Sequence, residues 1–246
     1  MDPLSQATIG AAAAQSVIKK TDLARIGLIG ALAGMAPDLD VIIQSSTDPL
    51  LQLEYHRQFT HSLVFIPFGA LLCAIAFWPF VRRHMSFKAI WLTALAGYVT
   101  HGLLDACTTY GTLLLWPFSD ERIAWNTISV VDPLFTLPLL GFVIAAGVKK
   151  SQFIGRLGMA WVAFYLSIGV IQEERARAAG ETLTAQRGHA HAIVSVKPSF
   201  GNLLLWKTVY EYDDQFWVDA VRAGGSVTVC LLYTSDAADD VLCGCI

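Results

Sequence analysis

The chain has 246 residues, of which 54% are hydrophobic and only 15% charged, and its formal net charge is −3. Soluble domains carry about 25% charged residues, so this composition, with a mean hydropathy of +0.51, excludes a disordered chain and points to a membrane protein with the lipid bilayer as its partner. The charge balance gives no electrostatic basis for binding nucleic acid.

Asp2 stands where the basic n-region of a secretory signal would lie, so the sequence predicts no cleavable signal. Residues 4–18 are rich in Ala and Gly, and residues 23–36 are apolar up to Pro37. Each reads as a short span or as a helix packed closely on its neighbours through small residues. Residues 63–81, 87–104, 130–148 and 157–171 are longer apolar runs, the first three long enough to cross the hydrocarbon and the fourth at the limit. The fold expected is therefore an all-α, polytopic transmembrane helical bundle with about six spans and at least four.

Basic residues set its orientation. Lys19, Lys20, Arg25, Arg82, Arg83, Lys88, Lys149, Lys150 and Arg156 fall in alternate connections, against only Arg57 and Arg122 in the others. This bias predicts a multi-pass protein of the inner membrane, with the basic turns cytoplasmic and the opposite end extracytoplasmic. Residues 1–171 form the embedded domain in this reading, and residues 172–226 a small tail on the outer face.

Five cysteines, three of them in the last 17 residues, match neither a zinc ribbon nor a redox pair. The run from Cys230 to Asp240 resembles the translated sequence of a transposase sequencing adaptor, so residues 227–246 are expected to be an artefact rather than natural protein.

Ionisable residues beside apolar spans are costly and so mark function. Asp38 and Asp40 follow the helix breaker Pro37; an extended segment would point both carboxylates one way, either as solvated helix-end acids or toward a cation. His56 and His61 flank Arg57 and Thr60 in a turn that runs into the next helix, where Thr60 or Ser62 can cap it. His101 and Asp105 are four residues apart on one helix face, with Gly102 keeping the backbone open. That pair either joins helices by a hydrogen bond or shares a metal with the other acids and histidines. Trp116 and Trp125 read by default as interfacial aromatics. Asp132 either caps the helix it precedes or serves as an acid–base group. Imidazole and carboxylate ligands without cysteines suit zinc first, and manganese or iron after it. A cluster at one end of the bundle, rather than along a path through it, resembles a hydrolytic site.

The same residues carry a family resemblance. The opening Met1-Asp2-Pro3-Leu4-Ser5-Gln6, then Pro37 to Asp40, His56 to Ser62, His101 to Asp105, Thr109 to Thr112, Trp116 to Phe118, Asn126-Thr127 and Asp132-Pro133 resemble the YdjM family over about residues 1–150. That family is described as LexA-regulated, membrane-bound, metal-dependent hydrolases, distantly similar to zinc phospholipase C and nuclease P1-type enzymes. Relatives carry histidine where this chain has Gln6, and glycine where it has Gln58.

Residues and resemblance together predict a membrane-bound metal-dependent hydrolase. Asp38, Asp40, His56, His61, His101 and Asp105 are its metal ligands, Asp132 a general base and Arg57 an anion clamp. A divalent metal, zinc first, would activate water against a phosphoester or lipid-like substrate. The competing class is a non-enzymatic metal-binding or transport protein using the same ligands.

Overall fold

Asp2 opens the first helix, α1 (Pro3–Val17): its carboxylate accepts from the Ser5 amide at 3.0 Å, and Pro3 supplies a helix-ready φ at the first position. Asp22 caps α2 (Leu23–Met35) in the same way, through the Arg25 amide. The computed structural model describes residues 1–18, 22–43, 56–189, 191–201, 203–224 and 227–236. Lys19, Lys20 and most of the connection after Ile43 lie outside them. By contacts the chain divides into two units, residues 1–125 with 130–165, and residues 126–129 with 166–246.

In the first unit, α2 passes directly into a 3-10 turn, Ala36–Ile42, and a second 3-10 turn, Phe59–His61, leads to α3 (Ile66–Val81). Then come α4 (Phe87–Ala106), α5 (Pro133–Lys149) and the start of α6 (Gln152–Gln186). Helix α1 packs on α2, α4 and α5 with the run from Thr8 to Gln15 buried, a close approach that its Ala-rich sequence permits. Gly97 on α4 sits against the Gly30 backbone of α2, where a Cβ would collide with the Gly30 carbonyl. The core between α2, α3 and α4 is Ala33, Ile66, Ala70, Ala94 and Tyr98, with a second cluster around Leu23, Ile26, Ile29 and Ile90.

The second unit combines the later part of α6 with a four-stranded antiparallel meander, β1 (Ser195–Pro198), β2 (Leu205–Tyr212), β3 (Gln215–Ala223) and β4 (Val227–Asp236), in that order. Asp213 and Asp214 both have positive φ, 55° and 56°, giving the two-residue turn that suits the twist of a tight hairpin. Trp206, Thr208 and Tyr210 alternate inward along β2. The Arg187 guanidinium grips both oxygens of buried Asp219 at 2.8 Å, tying the end of α6 to β3.

This architecture corrects the all-α polytopic bundle in two respects. The segment expected as a small tail after residue 171 is first helix and then sheet. Its apolar stretch ends there, but the helix continues because Glu, Arg, Ala and Gln are good helix formers and Glu173 pairs with Arg177 one turn on. Among the described residues only Gln152–Gln186 is also long and apolar enough to cross a membrane. Helices α3 and α5 have 16 and 17 residues, because their apolar runs begin in turns and at the Asp132 cap. Helix α4 has 20 residues but carries Lys88, His101 and Asp105. In the stretch expected to be an adaptor artefact, residues 227–236 form β4, paired with β3, and residues 237–246 lie outside the described residues.

Candidate metal centre

Asp38 and Asp40 lie on the 3-10 turn that follows α2, not on the extended segment expected from the sequence. Pro37 fits the first turn of a 3-10 helix, so it redirects the chain without ending its helical winding. The turn places Asp38 half-buried and Asp40 fully buried. The second arm, His56 to His61, reaches Asp40 through a left-handed residue. Arg57 has φ 62°, which lets its amide donate to Asp40 Oδ2 at 3.1 Å while its carbonyl accepts from Leu113 N at 3.1 Å. The third arm is the end of α4, where a Cβ on Gly102 would collide with the His61 carbonyl. Glycine at this position allows α4 and the His61 turn to touch.

Four side chains from these arms converge. His61 Nε2 lies 2.9 Å from His101 Nε2, 3.5 Å from Asp38 Oδ1 and 3.5 Å from Asp105 Oδ2. His101 Nε2 is 3.2 Å from Asp38 Oδ1. Asp38, His61, His101 and Asp105 each offer a ligand atom, all within 4.8 Å of one another; Asp38, Asp40 and His56 form a second such group that shares Asp38. His61, His101 and Asp105 are buried, and Asp38 is the member open to the outside.

The surrounding hydrogen bonds fix which nitrogen of each ring faces inward. His101 Nδ1 is 2.6 Å from the Gly34 carbonyl, which only accepts, so Nδ1 carries the proton and Nε2 presents its lone pair. Thr60 Oγ1 donates its one proton to Asp40 Oδ2 at 2.9 Å and therefore accepts at 2.9 Å from His61 Nδ1. In the neutral ring, His61 Nε2 is thus also a bare acceptor. Two lone pairs at 2.9 Å repel unless a proton or a cation lies between them.

The acids respond to the same crowding. Burial would raise the Asp38 carboxyl, but hydrogen bonds and charge from His101 and His61 hold it well below the usual carboxylate range. Burial also opposes ionisation of Asp40, and His56, His61, Thr60 and the Arg57 amide overcome it. For His61, burial favours the neutral ring, but Asp105, Asp38 and Asp40 raise its pKa above the ordinary 6.5.

Asp105 is held from several sides. Its Oδ1 accepts from Gln6 Nε2 at 2.8 Å and contacts the Met1 amino group. Its Oδ2 lies 3.2 Å from Arg57 Nε and is buried without a hydrogen bond. The Arg57 guanidinium also reaches Thr108 Oγ1 at 3.4 Å and lies 5.2 Å from the centroid of the Tyr110 ring. Arg57 is therefore at the centre, engaged with one of its carboxylates.

All six expected ligands meet here, in two groups. Asp132 belongs to neither: its carboxylate caps α5 through the Leu134 and Phe135 amides at 3.1 and 3.3 Å and accepts from Tyr165 Oη at 2.7 Å. Three contributors were not read as part of the site. Thr60 and Ser62 are the alternative caps expected for α3, but that helix starts after Phe65 with no side-chain cap; Ser62 Oγ accepts from the Phe65 amide in the preceding turn, and Thr60 serves the centre. The Gly34 carbonyl has no sequence signature. Gln6 was visible only as a departure from histidine.

A helical unit whose convergent histidines and aspartates could hold a metal ion defines a candidate metalloprotein. The chain belongs to the YdjM inner membrane protein family, whose profile matches residues 1–176 and so contains every candidate ligand. It is 37% identical over 150 residues to the inner membrane protein YbcI of Escherichia coli (strain K12), covering 56% of this chain and 83% of that one. It is also 29% identical over 148 residues to the protein YfhP of Bacillus subtilis (strain 168), covering 58% of this chain and 44% of that one. The match thus spans less than half the length of the Bacillus relative. No solved structure matches. Family and relative together make this an inner membrane protein.

Proposed function

We propose that the protein is a membrane-bound, metal-dependent hydrolase acting on a phosphoester or lipid-like substrate. The observation that carries this reading is the facing pair of His61 Nε2 and His101 Nε2, 2.9 Å apart, with Asp38 Oδ1 beside them. Their outer nitrogens are committed to Thr60 and Gly34. The donor set fits a divalent ion, zinc first, since imidazole nitrogen and carboxylate oxygen are its ordinary ligands outside cysteine sites. Asp105 Oδ2, buried beside Arg57 Nε and His61 Nε2, is the fully buried carboxylate oxygen on the same side. Asp38, His61, His101 and Asp105 would hold one ion; Asp38, Asp40 and His56 would hold a second. When bound, such an ion lowers the pKa of a coordinated water to about 7, supplying hydroxide at neutral pH.

The protein's own groups prepare that chemistry. Gly34 and Thr60 orient the two rings. Arg57 and Gln6 fix Asp105, and Asp38, on the open side, faces incoming substrate. His56, one-third exposed and bonded through Nδ1 to Asp40 Oδ1 at 2.8 Å, stands at the entrance. The centre lies on the extracytoplasmic side in this reading. Helix α4 starts beside Arg82, Arg83 and Lys88 and carries His101 and Asp105 at its other end, while α5 runs from Asp132 to Lys149. The basic ends are thus opposite to the acid–histidine end.

The test is turnover of a generic phosphodiester by purified protein, abolished by chelator and restored by one added divalent metal. Stoichiometric metal without turnover would favour the metal-binding or transport class instead.

A further inference from the structure

An apolar groove of about 690 Å³ reaches the candidate centre at Asp40. Leu39 from the 3-10 turn, Leu72, Cys73 and Phe77 from α3, and Tyr98 from α4 contribute to its wall, and Asp40 is its one charged lining residue. Asp40 belongs to the second acid–histidine group, and Thr60, which bonds it at 2.9 Å, lines the same end. Leu39 and Leu72 on the rim are more than half exposed. A second groove, of about 510 Å³ between α1, α2 and α5, is equally apolar but has no charged lining residue. The difference between the two is that only the first joins hydrocarbon-compatible walls to a group of potential metal ligands.

We propose that this first groove takes the acyl chain of a membrane phospholipid whose phosphate lies at the acid–histidine centre. The inference rests on the metal reading for the head and on the groove for the tail. A peptide would bring backbone N–H and C=O groups that these walls could not satisfy, at a cost an acyl chain does not incur. The volume falls in the range of pre-formed small-ligand sites. Asp38, Asp40 and Asp105 alone would repel a phosphate, so the head binds only where a cation offsets them, and head and tail together select a phosphate-headed amphiphile over a bare hydrocarbon.

The experiment uses the full chain in bilayer nanodiscs containing a trace of phosphatidic acid that carries a photoactivatable diazirine midway along one acyl chain. Samples are loaded with zinc, irradiated and mapped by mass spectrometry. Adducts are expected to concentrate on Leu72, Cys73 and Phe77, severalfold above Leu28 and Ile144 in the second groove. Ala76→Trp, at an exposed position on the wall of the first groove, should fill it and remove that excess while bound zinc is unchanged. The same diazirine chain ending in an alcohol should label both grooves alike. Equal labelling of the two grooves by the phosphate probe, or an excess that survives Ala76→Trp, overturns the proposal. Zinc measured on the same samples reports separately: metal-free protein defeats the metal reading, whereas zinc-loaded protein with uniform labelling defeats the groove alone.

Discussion

Thr60 links a carboxylate to an imidazole: its hydroxyl donates to Asp40 Oδ2 and accepts from His61 Nδ1, both at 2.9 Å. One proton on one oxygen thereby decides that the neutral His61 ring turns its unprotonated nitrogen toward His101. Thr60→Val keeps the branched shape and deletes that oxygen. Groups that orient metal ligands in this way are typically worth about 10- to 100-fold in metal affinity, and a loss of that size is expected in zinc titrations against a competing chelator. Unchanged affinity would mean that the hydroxyl does not set the ring.

The metal-free protein should have a characteristic pH profile. The pKa of His61 is raised in the folded state, so its contribution to stability is complete below about 6.5 and is lost as pH rises through the folded value. Asp38 and Asp40 are depressed; their contribution is present above about 3.9 and is lost as pH falls through their folded values. Thermal unfolding in chelator should therefore show Tm falling on the alkaline side of neutrality and again in strong acid. Added zinc, which replaces the proton on His61, should flatten the alkaline decline. A chelated protein whose Tm is flat from pH 5 to 9 would contradict the coupling.

Much of this candidate centre is legible in the sequence because its candidate ligands come from short local patterns. His101 and Asp105 share a helix face through i,i+4 spacing, and Asp38, Asp40, His56 and His61 flank the neighbouring turns. The parts that were not legible depend on chain segments meeting in space. The Gly34 carbonyl that holds His101 is a backbone group on another helix, and Thr60 looked like a cap because hydroxyls before helices usually are. The sheet was missed for a different reason. The aromatic residues from Trp206 to Trp217 resemble either interfacial anchors or a small packed element, and the sheet shows only in the inward alternation of Trp206, Thr208 and Tyr210 before the Asp213-Asp214 turn. The apolar runs also misled about spans, since apolar residues in turns and at caps count toward hydropathy but not toward helix length.

The second unit offers its own check. Asp219 is fully buried, and Arg187 pairs with it through two 2.8 Å bonds. Removing one partner of a buried pair strands the other charge, typically at a cost of about 3–5 kcal/mol. Arg187→Ala should open the sheet to hydrogen exchange in β2 and β3 while bound metal is retained. Loss of metal in that variant would contradict the assignment of the centre to the first unit alone.

Orientation can be tested without reference to activity. A reporter joined after Lys150 is expected to read as cytoplasmic, and one joined after Gly188, beyond the span-length helix α6, as extracytoplasmic. The reverse pattern would place the centre on the other side of the membrane.

The central claim is that His61 and His101 face each other because a divalent cation belongs between them and the neighbouring carboxylates. Metal content by inductively coupled plasma mass spectrometry, on purified chain reconstituted with zinc and then desalted, tests it most directly. At least one zinc per chain is expected for the natural sequence, with near-complete loss in His61→Ala, His101→Ala and Asp105→Ala and full retention in Asp132→Asn. Zinc absent from the natural sequence, or bound equally by all of these variants, would contradict the claim.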